Sequence, residues 1–260
     1  LDKILAAKRA ELAKNPNKRA AGMADRELAE LGTRLPTPRD LNGALRATPH
    51  PAVIAEFKRA SPSAGDLREG AQPRAIATQY AAAGASAMSV LTDRRFKGSF
   101  DDLREVRQTV AIPLLCKDFI LERWQIVEAK RTGADAVLLI VAALAPPQLR
   151  ALIRFADELA MQVLCEAHDA NEVDRAMAAG AQIIGVNARD LKTFEVNLDT
   201  VVELRKRVPR NFTFVGESGI AGPEDAARLR DAGVDAILVG TYLMKSEHPG
   251  EALQALLEVF

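Results

Sequence analysis

The chain has 260 residues, 48% hydrophobic and 27% charged, with 16 Gly and 13 Pro. This balance excludes a disordered or collagen-like chain. Lys plus Arg and Asp plus Glu each number 35, so the formal net charge is zero and no global basic field draws nucleic acid or an anionic membrane.

Cys116 and Cys165 lie in apolar runs and read as buried thiols rather than a secreted disulfide framework. Three histidines, His50, His168 and His248, are too few for a His-rich metal site. Apolar stretches such as 134–147, broken by Asp135, fall short of the roughly 18 apolar residues that span a bilayer. The opening Leu-Asp-Lys does not read as a signal peptide. A cytoplasmic globular protein is expected.

In chain order, residues 1–47 come first as a helical extension. Leu1–Asn15 is amphipathic through Ile4, Leu5, Lys8 and Leu12; Asp25–Leu31 forms a second short helix; Arg34–Pro38 is a linker. Two roles stay open for this segment: a plug at one end of the domain, or a lid over its site.

From residue 48 to 260 short apolar runs alternate with amphipathic ones. The short runs are expected strands: Val53–Phe57, Ala87–Leu91, Pro113–Cys116, Ala136–Val141, Gln162–Cys165, Ile183–Val186, Phe212–Val215 and Ala236–Val239. They are apolar on both faces, as a parallel sheet covered by helices requires. The helices expected between them are Arg74–Ala83, Phe100–Val110, Glu122–Thr132, Pro146–Leu159, Asp169–Ala179, Leu198–Arg207, Pro223–Ala232 and Pro249–Val259. Gly84, Gly133, Gly180 and Gly233 close alternate helices and suit the left-handed position there. Their spacings of 49, 47 and 53 residues each hold two βα units, a half-hidden fourfold repeat. Eight unbroken units favour a closed (β/α)8 barrel, one α/β domain, over a doubly wound sheet.

Barrel active sites form at the carboxyl ends of the strands, where each layer is filled by alternate strands. The odd strands deliver Glu56, Lys58, Lys117, Glu166 and Glu217 to one rim, and Glu56 and Lys58, two apart, share a strand face. Such crowding in a low-dielectric cup shifts proton affinities toward values useful for proton transfer. Asn187 ends strand 6. Small residues after strands 7 and 8, in Gly216-Glu217-Ser218-Gly219 and Gly240-Thr241, suit close approach of a phosphate, with Ser61, Ser63 and Lys58 nearby. Trp124 reads as outer packing, His168 as a loop or capping residue, and the run 203–207 as a solvated helix face.

The strings 54–63, Lys117-Asp118-Phe119-Ile120, Gly185-Val186-Asn187-Ala188-Arg189-Asp190-Leu191 and Glu217-Ser218-Gly219-Ile220 resemble indole-3-glycerol phosphate synthases, as do Ser89-Val90-Leu91-Thr92 and Leu238-Val239-Gly240-Thr241. The resemblance runs along nearly the whole chain. It implies cofactor-free, metal-free closure of 1-(2-carboxyphenylamino)-1-deoxyribulose 5-phosphate to indole-3-glycerol phosphate, releasing CO2 and water; a monomer with a phosphorylated small-molecule substrate is expected. By similarity Lys117 is the general acid at the ketone oxygen, Glu166 the other proton-transfer residue, and Lys58 the contact to the substrate carboxylate. Glu56, Asn187 and Glu217 orient these groups. Phe119 walls the aromatic pocket, Arg189 and Ser218 are further substrate-site positions, and Ser61, Gly219, Gly240 and Thr241 fit the phosphate.

Two departures stand out. Ala64 replaces a frequent lysine, and the 92–98 stretch is one residue short and lacks a second aromatic, which counts against Phe96 as a ring-packing residue. The rival readings are a phosphoribosylanthranilate-type isomerase and a catalytically silent barrel that binds a phosphorylated metabolite.

Overall fold

The computed structural model describes residues 1–14, 23–47, 51–61, 65–190, 193 and 195–259. Asn15, His50, Pro62, Ser63, Ala64, Leu191 and the boundary at residue 48 lie outside the described residues.

Eight parallel strands close on themselves: β1 (Ala52–Phe57), β2 (Ala87–Leu91), β3 (Leu114–Lys117), β4 (Ala136–Ile140), β5 (Gln162–Ala167), β6 (Ile183–Asn187), β7 (Thr213–Glu217) and β8 (Ala236–Val239). Each pairs with its sequence neighbour, and β1 pairs with β8 to complete the (β/α)8 barrel. Alternation along the strands sorts the apolar side chains into two clusters. One holds Ala52, Ile54, Ala87, Leu115, Leu138, Leu164, Ile183, Val215 and Ala236, which fill the barrel. The intervening residues, among them Val53, Ala55, Met88, Cys116, Cys165 and Phe214, pack outward against the helices.

The helical layer between strands is α4 (Pro73–Ala82), α5 (Phe100–Thr109), α6 (Arg123–Thr132), α7 (Pro146–Glu158), α8 (Ala170–Ala179), α9 (Leu198–Arg205) and α10 (Pro223–Asp231), with α11 (Thr241–Lys245) and α12 (Pro249–Leu257) after β8. Gly84, Gly133, Gly180 and Gly233 all have positive φ, between 75° and 107°, as their position after a helix predicts. The short α11 escaped the sequence reading because five residues carry too little periodicity. Arg205, expected on a solvated face, is instead buried: its guanidinium donates to the carbonyls of Gly233 and Val208 and lies over the Phe214 ring. Trp124 is buried under the N-terminal segment, away from the barrel mouth.

That segment forms α1 (Asp2–Lys14), α2 (Asp25–Thr33) and α3 (Leu41–Arg46). It takes up both of the roles left open. Helix α3 seals the amino-terminal end: Leu41 and Leu45 join the interior cluster, the Asn42 amide donates to Gln162 at the start of β5, and Arg46 donates to Thr213 at the start of β7. Helix α1 reaches the opposite end. Its buried Lys8 holds Asp118 at 2.6 Å and Asp93 at 3.3 Å, both in the loops beyond β2 and β3. Among the described residues no helix is long and apolar enough to cross a membrane.

The fourfold repeat has a polar counterpart. Asp135, just before β4, accepts from the Leu114 amide at 2.8 Å, and Asp235, just before β8, accepts from the Phe214 amide at 2.8 Å. Asp135 also accepts from the Arg39 amide and from Arg107, each at 2.7 Å. Replacing it strands the buried Leu114 amide together with the part-buried Arg107 guanidinium and Arg39 amide. Asp135→Ala is therefore expected to cost about 3–5 kcal/mol, the usual penalty for orphaning a buried charge partner. Urea unfolding read by circular dichroism measures this, and a loss below about 1 kcal/mol would contradict the assignment.

Candidate active site

The carboxyl ends of the strands open into a cavity of about 620 Å³. The catalytic candidates Glu56, Lys58, Lys117, Glu166, Asn187 and Glu217 all line it. So do Phe119, Arg189 and Ser218 from the loops after β3, β6 and β7. Ser61, Gly219, Gly240 and Thr241 complete the set at the same mouth.

Several strands run one or two residues further than their apolar runs predict. The ladder continues past the last apolar residue, pairing Lys117 with Leu91, Glu166 with Ile140, and Glu217 with Asn187. Charged groups expected just beyond the strands are thus held on regular backbone, facing inward on the same side as Leu115, Leu164 and Val215 two residues earlier.

Lys117 is the centre of the group. Its Nζ lies 2.9 Å from Glu166 Oε2 and 3.1 Å from Glu217 Oε2. Burial opposes its charge, but Glu166, Glu217 and Glu56 outweigh burial and raise its proton affinity above that of an ordinary lysine. The sequence left this balance open; the carboxylates win it. The two glutamates then diverge. Glu166 is buried, yet Lys117 and His168 draw its carboxyl well below the usual range. Glu217 is pushed up to about 7 by burial and by the negative charges of Glu166 and Glu56, which Lys117 only partly offsets. Two carboxylates so close to one ammonium do not both ionise freely.

A second ion pair sits alongside, Lys58 Nζ to Glu56 Oε1 at 2.7 Å. Two glycines make room for these groups. A Cβ on Gly240 would come within 2.4 Å of Glu56 Oε1 and 2.9 Å of Lys58 Nζ, and one on Gly185 within 2.0 Å of Glu217 Oε1. Asn187 Oδ1 accepts from the Arg189 amide at 3.0 Å, tightening the turn after β6. Beyond β7, Ser218 and Gly219 both have positive φ, 64° and 76°.

Other lining residues were missed. Leu1 and Ile4 reach the cavity from α1, since amphipathic spacing cannot say which end of a barrel a helix covers. Phe96, discounted on the shortened loop, lines the cavity and stacks near Phe119, ring centroids 6.3 Å apart and planes 30° apart. Lys245 on α11 adds a basic group at the mouth. Arg59, within the motif after β1, instead turns outward to grip Asp102 through two bonds of 2.7 and 2.8 Å.

Two outcomes are expected. Gly185→Ala should cost roughly 1–3 kcal/mol by overpacking against Glu217. Combining it with Glu217→Ala should cost less than the sum of the single changes in urea unfolding, because the second change removes the clash. The Glu217 carboxyl, raised from 4.5 to about 7, binds its proton more tightly in the folded chain. Its contribution to stability is therefore full below about pH 4.5 and lost as pH rises through about 7. Glu217→Gln stays neutral, so wild-type Tm should fall relative to the variant by on the order of 5–10 °C between about pH 5 and about pH 8. A constant difference across that range would show that Glu217 does not titrate there.

The family model for indole-3-glycerol phosphate synthase matches residues 1–256. The indole-3-glycerol phosphate synthase of Polaromonas sp. strain JS666 is 48% identical, with 98% of this chain and 97% of that protein covered. The protein of the same name from Aromatoleum aromaticum is 45% identical, with 98% of each covered. Among solved structures, 3-hexulose-6-phosphate synthase from Salmonella typhimurium superposes with a TM-score of 0.65 at 14% identity, covering 80% of this chain and 97% of that one, which speaks for the barrel alone. Matched along almost its entire length, the chain belongs to the indole-3-glycerol phosphate synthase family.

Proposed function

We propose that the group built on Lys117, Glu166 and Glu217 carries the reaction of this family: decarboxylating ring closure of 1-(2-carboxyphenylamino)-1-deoxyribulose 5-phosphate to indole-3-glycerol phosphate, a carbon–carbon lyase step in tryptophan biosynthesis. The observation that carries this assignment of roles is the Lys117 ammonium, 2.9 and 3.1 Å from two carboxylates at the floor of the cavity. Family membership disfavours the silent barrel and the isomerase.

Closure joins the ring carbon that bears the carboxylate to the ketone carbon, and the ketone oxygen gains an electron pair. Lys117, held charged by its neighbours, delivers a proton and positive charge to that oxygen. Loss of CO2 returns the bonding pair to the ring. The new hydroxyl takes a second proton, from Lys58 or from Lys117 once it has been reprotonated by solvent, and leaves as water, while Glu166, kept anionic beside Lys117, removes the ring-carbon proton whose loss completes the indole. Lys58, restrained by Glu56, binds the substrate carboxylate, and Asn187 and Glu217 orient the reacting groups. Phe96 and Phe119 form an aromatic wall for the anthranilate ring. Arg189 and Ser218 line the substrate site. Ser61, Gly219, Gly240 and Thr241 receive the phosphate, a role supported by their shared place at the cavity mouth and by Lys58 beside Gly240.

The enzyme works as a monomer in the cytoplasm. Two features support this: among the described residues Leu31 and Val196 are the exposed large apolar side chains, and Cys116 and Cys165 are free, buried thiols.

Indole fluorescence reports turnover on mixing enzyme with the carboxyphenylamino-deoxyribulose phosphate. Lys117→Ala is expected to lower kcat by at least roughly 10²–10⁴-fold, the worth of one general acid. Wild-type turnover in that variant would remove Lys117 from the role. A folded wild type that binds substrate without turnover would restore the silent barrel.

A further inference from the structure

We propose that His168 is a positioning residue for Glu166: gripped from behind by Glu172, its ring holds the carboxylate oxygen that Lys117 leaves uncovered. The proposal rests on the reading of Glu166 as a reacting group.

Residue 168 stands two beyond Glu166, so it continues the inward-facing side of β5 at the rim, as Lys58 does beyond Glu56 on β1. The two oxygens of Glu166 are divided between two partners. Oε2 lies 2.9 Å from Lys117 Nζ, and Oε1 lies 3.4 Å from His168 Nε2. The far side of the ring is fixed by α8. Glu172 Oε2 is 3.0 Å from Nδ1 and also accepts from the His168 backbone amide at 2.8 Å. His168, expected as a loop or capping residue, is not the cap of α8: Asp169 holds that place, its side chain accepting from the Glu172 amide at 2.8 Å.

The tautomer follows from the neighbours. A carboxylate on Nδ1 commits that nitrogen to donating its proton to Glu172. A neutral ring would then turn the lone pair of Nε2 toward the lone pairs of Glu166 Oε1. That contact is repulsive, so a proton belongs between Nε2 and Oε1. Nε2 is buried and lacks a hydrogen bond of good geometry, so at 3.4 Å the contact is ionic. The charged groups against the ring are Glu166 on β5 and Glu172 on α8; Lys117 on β3 holds the other oxygen of Glu166 and in turn contacts Glu217 on β7. Burial disfavours the imidazolium, but the two carboxylates outweigh burial and raise its pKa to about 10. Glu166 therefore lies between two cations at neutral pH. Lys117 alone would keep it charged but would leave it free to swing about a single contact.

The test compares kcat, KM and pH profiles of the full-length enzyme with those of His168→Gln, Glu172→Gln and Glu166→Gln. His168→Gln is expected to lower kcat about 10- to 100-fold, the scale of a reacting group set loose by a fraction of an ångström, with KM within about twofold. The acid limb of its kcat profile should move up by about 1–3 pH units, because one of the two cations holding Glu166 ionised is gone. Glu172→Gln should shift both readouts the same way by less, and it carries the test if His168→Gln does not fold. A merely structural histidine would lower Tm and leave the limb in place. Wild-type kcat and an unmoved limb in His168→Gln, with Glu166→Gln inactive, would overturn the role of His168 alone. Full activity in Glu166→Gln would overturn the reading of Glu166 and this inference with it.

Discussion

The ammonium of Lys117, half-buried at the floor of the cavity between the buried carboxylates of Glu166 and Glu217, is the contact on which the rest of the site depends. A carboxylate as buried as Glu166 or Glu217 would neutralise itself if it stood alone, and a simple ion pair in such a place barely repays its desolvation. One cation set against several carboxylates changes the balance. Lys117 stays charged, Glu166 stays ionised, and Glu217 gives up part of its acidity, so three ordinary side chains acquire three different proton affinities. The separation of these affinities makes the cluster chemically useful, and it exists only while the three groups keep their spacing.

The barrel sets that spacing. Parallel strands with a twofold side-chain alternation place every second residue inside, and layers from alternate strands meet at the same height. Beneath the charged layer the interior is apolar, closed at its base by Leu41 and Leu45 of α3. The glycines at 185 and 240 complete the geometry from the even strands, since any side chain there would collide with Glu217 or with the Glu56–Lys58 pair. The charged groups are thus fixed from below by packing and from the side by the absence of atoms.

The upper face is assembled from farther afield. Helix α1 brings Leu1 and Ile4 to the cavity and is pinned there by Lys8 on Asp118, the residue next to Lys117, and on Asp93 beyond β2. Asp118 also accepts from Thr92, so the first helix of the chain is tied to the rims of two adjacent strands. The N-terminal segment thereby contributes to both ends of the barrel, a plug through α3 and a cover through α1.

Much of this was legible in the residues. Apolar runs on both faces, amphipathic runs between them and four glycines at doubled βα spacing are local signals, and together they specify a closed barrel because few folds accept eight such units. Alternation then brings Glu56, Lys117, Glu166 and Glu217 to one rim, since strand parity is a property of the chain itself. The tertiary structure alone decided how those charges share protons, because that depends on ångström separations across strands 49 and 100 residues apart in the chain. It decided that Phe96 joins the cavity, that Arg59 turns away to Asp102 and that Arg205 is buried, because each choice is made by a distant partner. It also decided which end each N-terminal helix covers. Periodicity tells a helix which face to bury but not against what, and the missing information lies in the surface it meets.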